Sequence, residues 1–299
     1  MIYHVYANQK NIGDWLSGRA IQMLVGATEV RELFCDEPFV PETLAALSQA
    51  TVNDLILIGG GGLFMDYFTP FWEGFRPIAD RVKFCIWGVG YCDWKRQPSR
   101  TPSSLLTGII RRSELCVVRD ELTRRHLSEC HLPPPVCCPS INLVQTIPPG
   151  NGVLHVDAWG EVGEANYEFM QTMGKDFAGR TGRNFNSLNN EVHPAREHEL
   201  AEALDKYIAA ELILTARLHG CIIGLAMGRK VLAVSCDRKI ESFMEAAGLR
   251  DWVVDVEDVR ENLPVMLEAL PNQPDISDFI ADVRGANHEI ASKIKLLMT

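Results

Sequence analysis

Residues 211–239, ELILTARLHGCIIGLAMGRKVLAVSCDRK, decide the fold. Two short apolar runs, 212–215 and 231–235, flank a segment in which Leu218, Cys221, Ile222 and Leu225 recur at helical spacing, a strand–helix–strand unit. Gly220, Gly224 and Gly228 thin that helix so that it lies close on a sheet, at a propensity cost that points to a packing or functional reason. Arg217 and His219 stand at the helix start, where unpaired N–H groups point outward and anions are favoured. Together they suit phosphate or carboxylate; singly, each reads equally as an exposed arginine and a satisfied core histidine.

Outward from this unit the same alternation holds. Strands are predicted at 1–7, 30–35, 55–58, 84–89, 115–118, 153–156 and 252–256, with helices between them, near 12–24, 41–50, 105–112, 120–128, 165–177, 197–209, 239–249 and 259–270. Such alternation gives parallel sheets covered on both faces. A turn-rich stretch at 144–152 separates two halves, so the expected organisation is 1–147, 148–274, and a final helix in 275–299 that returns to brace the first domain. The expected class is α/β, two Rossmann-like domains facing across a cleft at the carboxyl ends of their strands.

Several residues follow predicted strands and converge on that cleft. Asn11, Gly13 and Asp14 open the first helix, with Asn11 or Asp14 as its cap. Gly59–Gly62 ends the third strand and means close backbone approach; Gly60 and Gly61 are cleft candidates, although the run is neither a dinucleotide nor a Walker signature. Arg119 sits at a junction like that of Arg217, and Lys239 follows the strand after His219. Residues 65–75, MDYFTPFWEGF, are expected to be a loop over the cleft, with Tyr67, Phe68 and Trp72 as an aromatic wall for a sugar or, equally, as core. Residues 179–193 are expected to be a mobile loop near the cleft.

Composition bounds the rest. The 299 residues carry a net charge of −10, which speaks against a nucleic-acid partner and requires an anionic substrate to find a local basic pocket. Nine cysteines without a C-x-x-C pair fit buried free thiols in a reducing compartment, and no metal site is expected. No apolar run spans a membrane and residues 1–6 read as a strand rather than a leader, so the expected location is cytoplasmic.

Five segments in order resemble the polysaccharide pyruvyl transferase family: Asn11-Ile12-Gly13-Asp14, Asp54 through Gly62, Val117-Val118-Arg119-Asp120, Arg217-Leu218-His219-Gly220, and Asp237-Arg238-Lys239 with Phe243. The likeness covers nearly the whole chain. Two places depart from it: Cys138-Pro139-Ser140 stands where members often carry Asp-Pro, and residues 157–190 match no part of the pattern.

The resemblance implies transfer of the enolpyruvyl unit of phosphoenolpyruvate to a sugar as a pyruvate ketal, with loss of phosphate, on a fold similar to GT-B glycosyltransferases. It implies donor binding by Arg119, Arg217, His219, Gly220 and Lys239. Catalysis falls to His219, holding phosphate and delivering a proton, with Arg217, and to Asp14, orienting or deprotonating the acceptor. The acceptor side takes Asn11, Gly13, Gly60, Gly61, Tyr67 and Trp72. No cofactor beyond phosphoenolpyruvate as co-substrate is expected. The sugar is nucleotide-linked, lipid-linked or polymeric, with at most peripheral contact at the inner membrane face. The competing readings are a nucleotide-sugar glycosyltransferase and a non-catalytic sugar- or nucleotide-binding protein.

Overall fold

Short aliphatic strands joined through helices pair in parallel, and they do so here in two separate sheets. The computed structural model describes residues 1–100, 103–157, 162–192 and 196–298. The first half runs β1 (Ile2–Tyr6), α1 (Ile12–Val25), β2 (Val30–Phe34), α2 (Val40–Leu47), β3 (Leu55–Ile58), α3 (Thr69–Ala79), β4 (Lys83–Val89), α4 (Ser103–Ile110), β5 (Leu115–Val118) and α5 (Glu121–His126). Its strands pair in the order β2-β1-β3-β4-β5, all parallel, with Val5 between Leu33 and Ile58.

The second half runs β6 (Gly152–Asp157), α6 (Glu164–Arg180), β7 (Asn184–Asn189), α7 (Glu197–Ala209), β8 (Leu212–Thr215), α8 (Leu218–Ala226), β9 (Lys230–Ser235), α9 (Arg238–Ala246), β10 (Val253–Asp255) and α10 (Val259–Ala269). Its order is β10-β9-β8-β6-β7, again parallel. The chain is therefore α/β with two Rossmann-like domains. The last helix, α11 (Ser277–Leu296), crosses back: Ile290, Ala291 and Ile294 share a buried cluster with Ile2, Ile21 and Leu24 of the first domain. Buried Asn287 keys it there, accepting from Trp87 Nε1 at 3.2 Å and donating to the Cys137 carbonyl at 3.2 Å.

The two domains meet on both sides of the cleft. On one side Asn11 bridges Glu191, and Ile12 N–H donates to the Asn190 carbonyl at 2.9 Å. Ile12 and Leu16 of α1 join the core of the second domain. On the other side Trp94 bridges Asp237, Lys95 N–H donates to the Cys236 carbonyl, and Lys95 pairs with Glu241 and Asp255. These seams fix the distance between the two rows of strand ends.

Two sequence expectations are corrected. Residues 65–75 are not a loop: a short 3₁₀ turn (Asp66–Phe68) leads into α3, with Pro70 in its first turn, where a missing N–H costs nothing. Gly74 is there because the Leu44 side chain occupies the space a Cβ would need. Residues 179–193 are not an open loop either; 184–189 form edge strand β7, whose six residues all register with β6. Residues 158–161, between the predicted strand at 153–156 and the predicted helix at 165–177, and His193, the last residue of the loop expected over 179–193, lie outside the described residues. No helix among the described residues is long and apolar enough to cross a membrane. All nine cysteines are free.

Candidate active site

Seven strands deliver residues to one cavity of about 270 Å³ between the domains. Ala7 and Asn8 follow β1, Gly62 follows β3, Cys92 and Trp94 follow β4, and Arg119 follows β5. From the second domain come Asn190 after β7, Arg217, Leu218 and His219 after β8, and Lys239 after β9. Asn11, Asp14, Met65 and Phe68 complete the wall. Carboxyl ends of parallel strands are where such folds bind ligands.

The cavity is cationic in a chain of net charge −10. Arg119 is 6% exposed. Its Nε donates to Asp120 Oδ2 at 3.3 Å, while Nη2 is buried without a hydrogen-bond partner. The guanidinium passes over Gly90, where any Cβ would collide with it. Lys239 Nζ lies 2.7 Å from Asp237 Oδ2 and 3.3 Å from Cys92 Sγ. Arg217 Nη2 is 3.6 Å from Glu191 Oε1.

Helix capping separates one helix from its neighbours. Asn11 caps α1 by accepting from the N–H groups of Gly13 and Asp14, Asp120 caps α5, and Asp237 caps α9. At α8 the cap position is Arg217, and no side chain caps the first turn. Without a side-chain oxygen on them, its N–H groups and dipole are the kind of end that favours an anion.

His219 is nine-tenths buried, between α8 and the start of α1. Ser17 Oγ donates to the Gly13 carbonyl at 2.8 Å, so its oxygen accepts from His219 Nε2 at 3.3 Å; Cys138 Sγ lies 2.8 Å from that oxygen and 3.6 Å from Nε2. This leaves Nδ1, which lies over Gly13, as the basic ring nitrogen. Burial, then the charges of Arg119 and Lys239, push His219 down to about 3. The ring is neutral at physiological pH. Burial pushes the Asp14 carboxyl up to about 6, against the opposing pull of Arg119, Lys239 and Arg217.

The His219 shift sets the sign of a stability effect. A depressed histidine stabilises the fold above the unfolded value near 6.5, and that contribution is lost as pH falls toward 3. Between pH 6.5 and 5 the loss is about 2 kcal/mol. His219→Gln therefore loses about 2 kcal/mol less than the parent protein over that interval, measured by denaturant unfolding at both pH values. Equal losses would contradict the neutral assignment.

Other expected residues fall elsewhere. Trp72 is 0% exposed, packed with Phe64, Phe71 and Phe75, and its Nε1 donates to the Leu63 carbonyl at 2.7 Å; it is core, not cleft wall. Tyr67 is 43% exposed, takes the Glu37 N–H on its hydroxyl, and does not line the cavity. Gly60 and Gly61 adopt φ values of 102° and 106°, pack on Tyr6, Ala7 and Asp14, and support the wall from behind. Gly13 backs His219, and Gly220 turns toward Thr215. The aromatic surface actually present is Phe68 with Trp94, whose indole Nε1 is buried and unpartnered. Trp94, Asn190 and Gly90 carry no signature that sequence reading detects. Among the described residues no group of three or more His, Cys, Asp or Glu is placed to hold a metal ion.

A family model described as "Polysaccharide pyruvyl transferase" matches residues 4–238. No curated protein matches the sequence. Among solved structures, a putative UDP-N-acetylglucosamine 2-epimerase from Listeria monocytogenes is 11% identical, with a TM-score of 0.57 over 98% of this chain and 95% of that one. The UDP-GlcNAc 2-epimerase of Neisseria meningitidis, bound to UDP-GlcNAc, is 10% identical, with a TM-score of 0.55 over 99% of both chains. At such identities the likeness is one of fold.

Proposed function

Because the chain belongs to the polysaccharide pyruvyl transferase family, we propose that it transfers the enolpyruvyl unit of phosphoenolpyruvate to two hydroxyls of one sugar of a cell-surface polysaccharide or its precursor. The product is a pyruvate ketal, and phosphate leaves. The observation that carries this reading is Arg119: a buried guanidinium with an unpartnered Nη2, facing a cavity that also holds Lys239, Arg217 and the uncapped start of α8. Leaving a buried donor unmatched costs roughly 1–3 kcal/mol, more for a charged group, and an anionic ligand relieves that cost. A cavity of about 270 Å³ suits a small dianion with part of a sugar.

The chemistry is conserved in atoms and protons. The methylene carbon of the donor gains one proton and the central carbon becomes oxocarbenium-like. Two sugar oxygens bond to that carbon and lose their protons, and its bond to the phosphate oxygen breaks. One released proton restores the acid, and the other leaves on phosphate. Covering the cations with a dianionic donor removes what holds the Asp14 carboxyl down, so it keeps a proton at neutral pH and acts as the acid. Neutral His219, with Nδ1 basic, takes the hydroxyl proton. These roles exchange the acid and base parts that the sequence alone suggested for the two residues.

Trp94 and Phe68 supply an aromatic surface for the sugar, and the Trp94 N–H a donor for one hydroxyl. Trp94→Ala raises the acceptor KM roughly tenfold, the equivalent of about 1.4 kcal/mol, and leaves the phosphoenolpyruvate KM unchanged. Steady-state kinetics with each substrate varied in turn checks this. The donor itself is tested by thermal stabilisation: phosphoenolpyruvate raises the unfolding temperature, and UDP-sugars do not. The reverse pattern supports a glycosyltransferase instead.

A further inference from the structure

The residue after β7, Asn190, is 1% exposed and lines the cavity. Three of its four polar atoms are accounted for or main-chain. The carbonyl oxygen accepts from Ile12 N–H at 2.9 Å, tying the second domain to the start of α1. The side-chain Oδ1 accepts from the hydroxyl of fully buried Tyr207 at 3.0 Å. The amide Nδ2 is buried and has no hydrogen-bond partner. Tyr207 thus fixes the amide, and the donor it leaves over has only a ligand to meet. A buried, pre-oriented and unmatched N–H is costly in the empty protein and discriminating in the filled one.

The basic side chains divide into two groups around this amide. Arg119 and Lys239 stand on the side of β5 and β9, where Lys239 reaches Cys92 and both cations act on His219. Arg217 leans the other way, toward Glu191, the residue next to Asn190. Asn190 and Arg217 therefore share one end of the cavity. A planar carboxylate can take the arginine fork on one oxygen and a neutral amide N–H on the other. The tetrahedral, more highly charged phosphate suits the end with two cations and the Arg119 Nη2.

We propose that Asn190, held by Tyr207, and Arg217 form a carboxylate-reading subsite for the donor, separate from a phosphate subsite at Arg119 and Lys239. This rests on phosphoenolpyruvate being the donor. The amide selects an anion that carries a carboxylate at a fixed distance from its phosphate, and inorganic phosphate leaves it unfilled.

The test compares phosphoenolpyruvate and inorganic phosphate by isothermal titration on the parent protein, Asn190→Asp and Asn190→Ala. Asp keeps the shape and the Tyr207 hydrogen bond but replaces the donor with an oxygen; Ala removes the donor without adding charge. In both variants the affinity for phosphoenolpyruvate falls roughly 10- to 100-fold, and that loss exceeds any loss for inorganic phosphate about tenfold. Tyr207→Phe, which frees the amide to turn, gives a smaller loss of the same selectivity. Equal losses for the two ligands, or none for phosphoenolpyruvate, overturn the subsite. A parent protein that binds no phosphoenolpyruvate overturns the donor reading and this inference with it, whereas a binding parent with unaffected variants overturns the inference alone.

Discussion

Replacing Arg119 with Met lowers kcat/KM for phosphoenolpyruvate roughly 10²–10³-fold, the scale of removing one pre-positioned charge-stabilising donor. The methionine stem follows the path of the arginine over Gly90, so packing is largely kept and the charge is lost. Asp120 keeps the Thr123 N–H at 2.7 Å and the Thr123 hydroxyl at 2.6 Å on its Oδ1 but loses the Arg119 N–H on its buried Oδ2, so the variant is also less stable than the parent and is assayed well below its own unfolding temperature. The loss of rate falls on the ligand, because the leaving phosphate gains no guanidinium; Asp14, freed of the strongest cation that opposes its upward shift, still keeps its proton. Arg119→Lys does not restore the rate, since a point ammonium cannot present the fork that Nη2 extends into the cavity. Steady-state kinetics, with circular dichroism to confirm the fold, decides this. A variant within a few-fold of the parent would remove Arg119 from the site.

The second large effect comes from a residue with no side chain. A Cβ at Gly13 falls inside the His219 imidazole, so Gly13→Ala must displace the ring from Ser17 and Cys138. A misplacement of about 1 Å in a reacting group costs roughly 10²-fold, and turnover falls by at least that much. On helix propensity alone the same change would be favourable by about 1 kcal/mol. Activity and stability thus part company: turnover drops steeply while the unfolding temperature changes little. Turnover and thermal unfolding measured on one preparation check both halves. Full activity would mean that the ring has no fixed position to lose.

Much of this was legible in the sequence, for physical reasons that can be named. Parallel strands buried on both faces must be short apolar runs, which is why 115–118 and 212–215 read correctly and placed Arg119 and Arg217 at strand ends. Asn11 read as a helix cap because its side chain does that locally. The misreadings have equally local causes. Proline and glycine made 65–75 look like a loop, although Pro70 opens a helix and Gly74 makes room for Leu44; Trp72 followed that error out of the core. The polar run 184–189 has little strand propensity of its own and becomes a strand through its register with β6. Trp94 and Asn190 were not legible, because contacts between the domains put them at the cavity: Trp94 bridges Asp237, and the Asn190 carbonyl holds Ile12.

The central claim is that the cationic cavity between the two sheets binds phosphoenolpyruvate for transfer to a sugar diol. Its most direct measurement is release of inorganic phosphate from phosphoenolpyruvate by the purified protein against a panel of nucleotide-linked, lipid-linked and polymeric sugars, with mass spectrometry of the acceptor. The account predicts acceptor-dependent phosphate release by the parent protein, roughly 10²–10³-fold slower release by Arg119→Met, and an acceptor heavier by one pyruvate less one water. Transfer of a sugar from a nucleotide sugar, with phosphoenolpyruvate left intact, would contradict it.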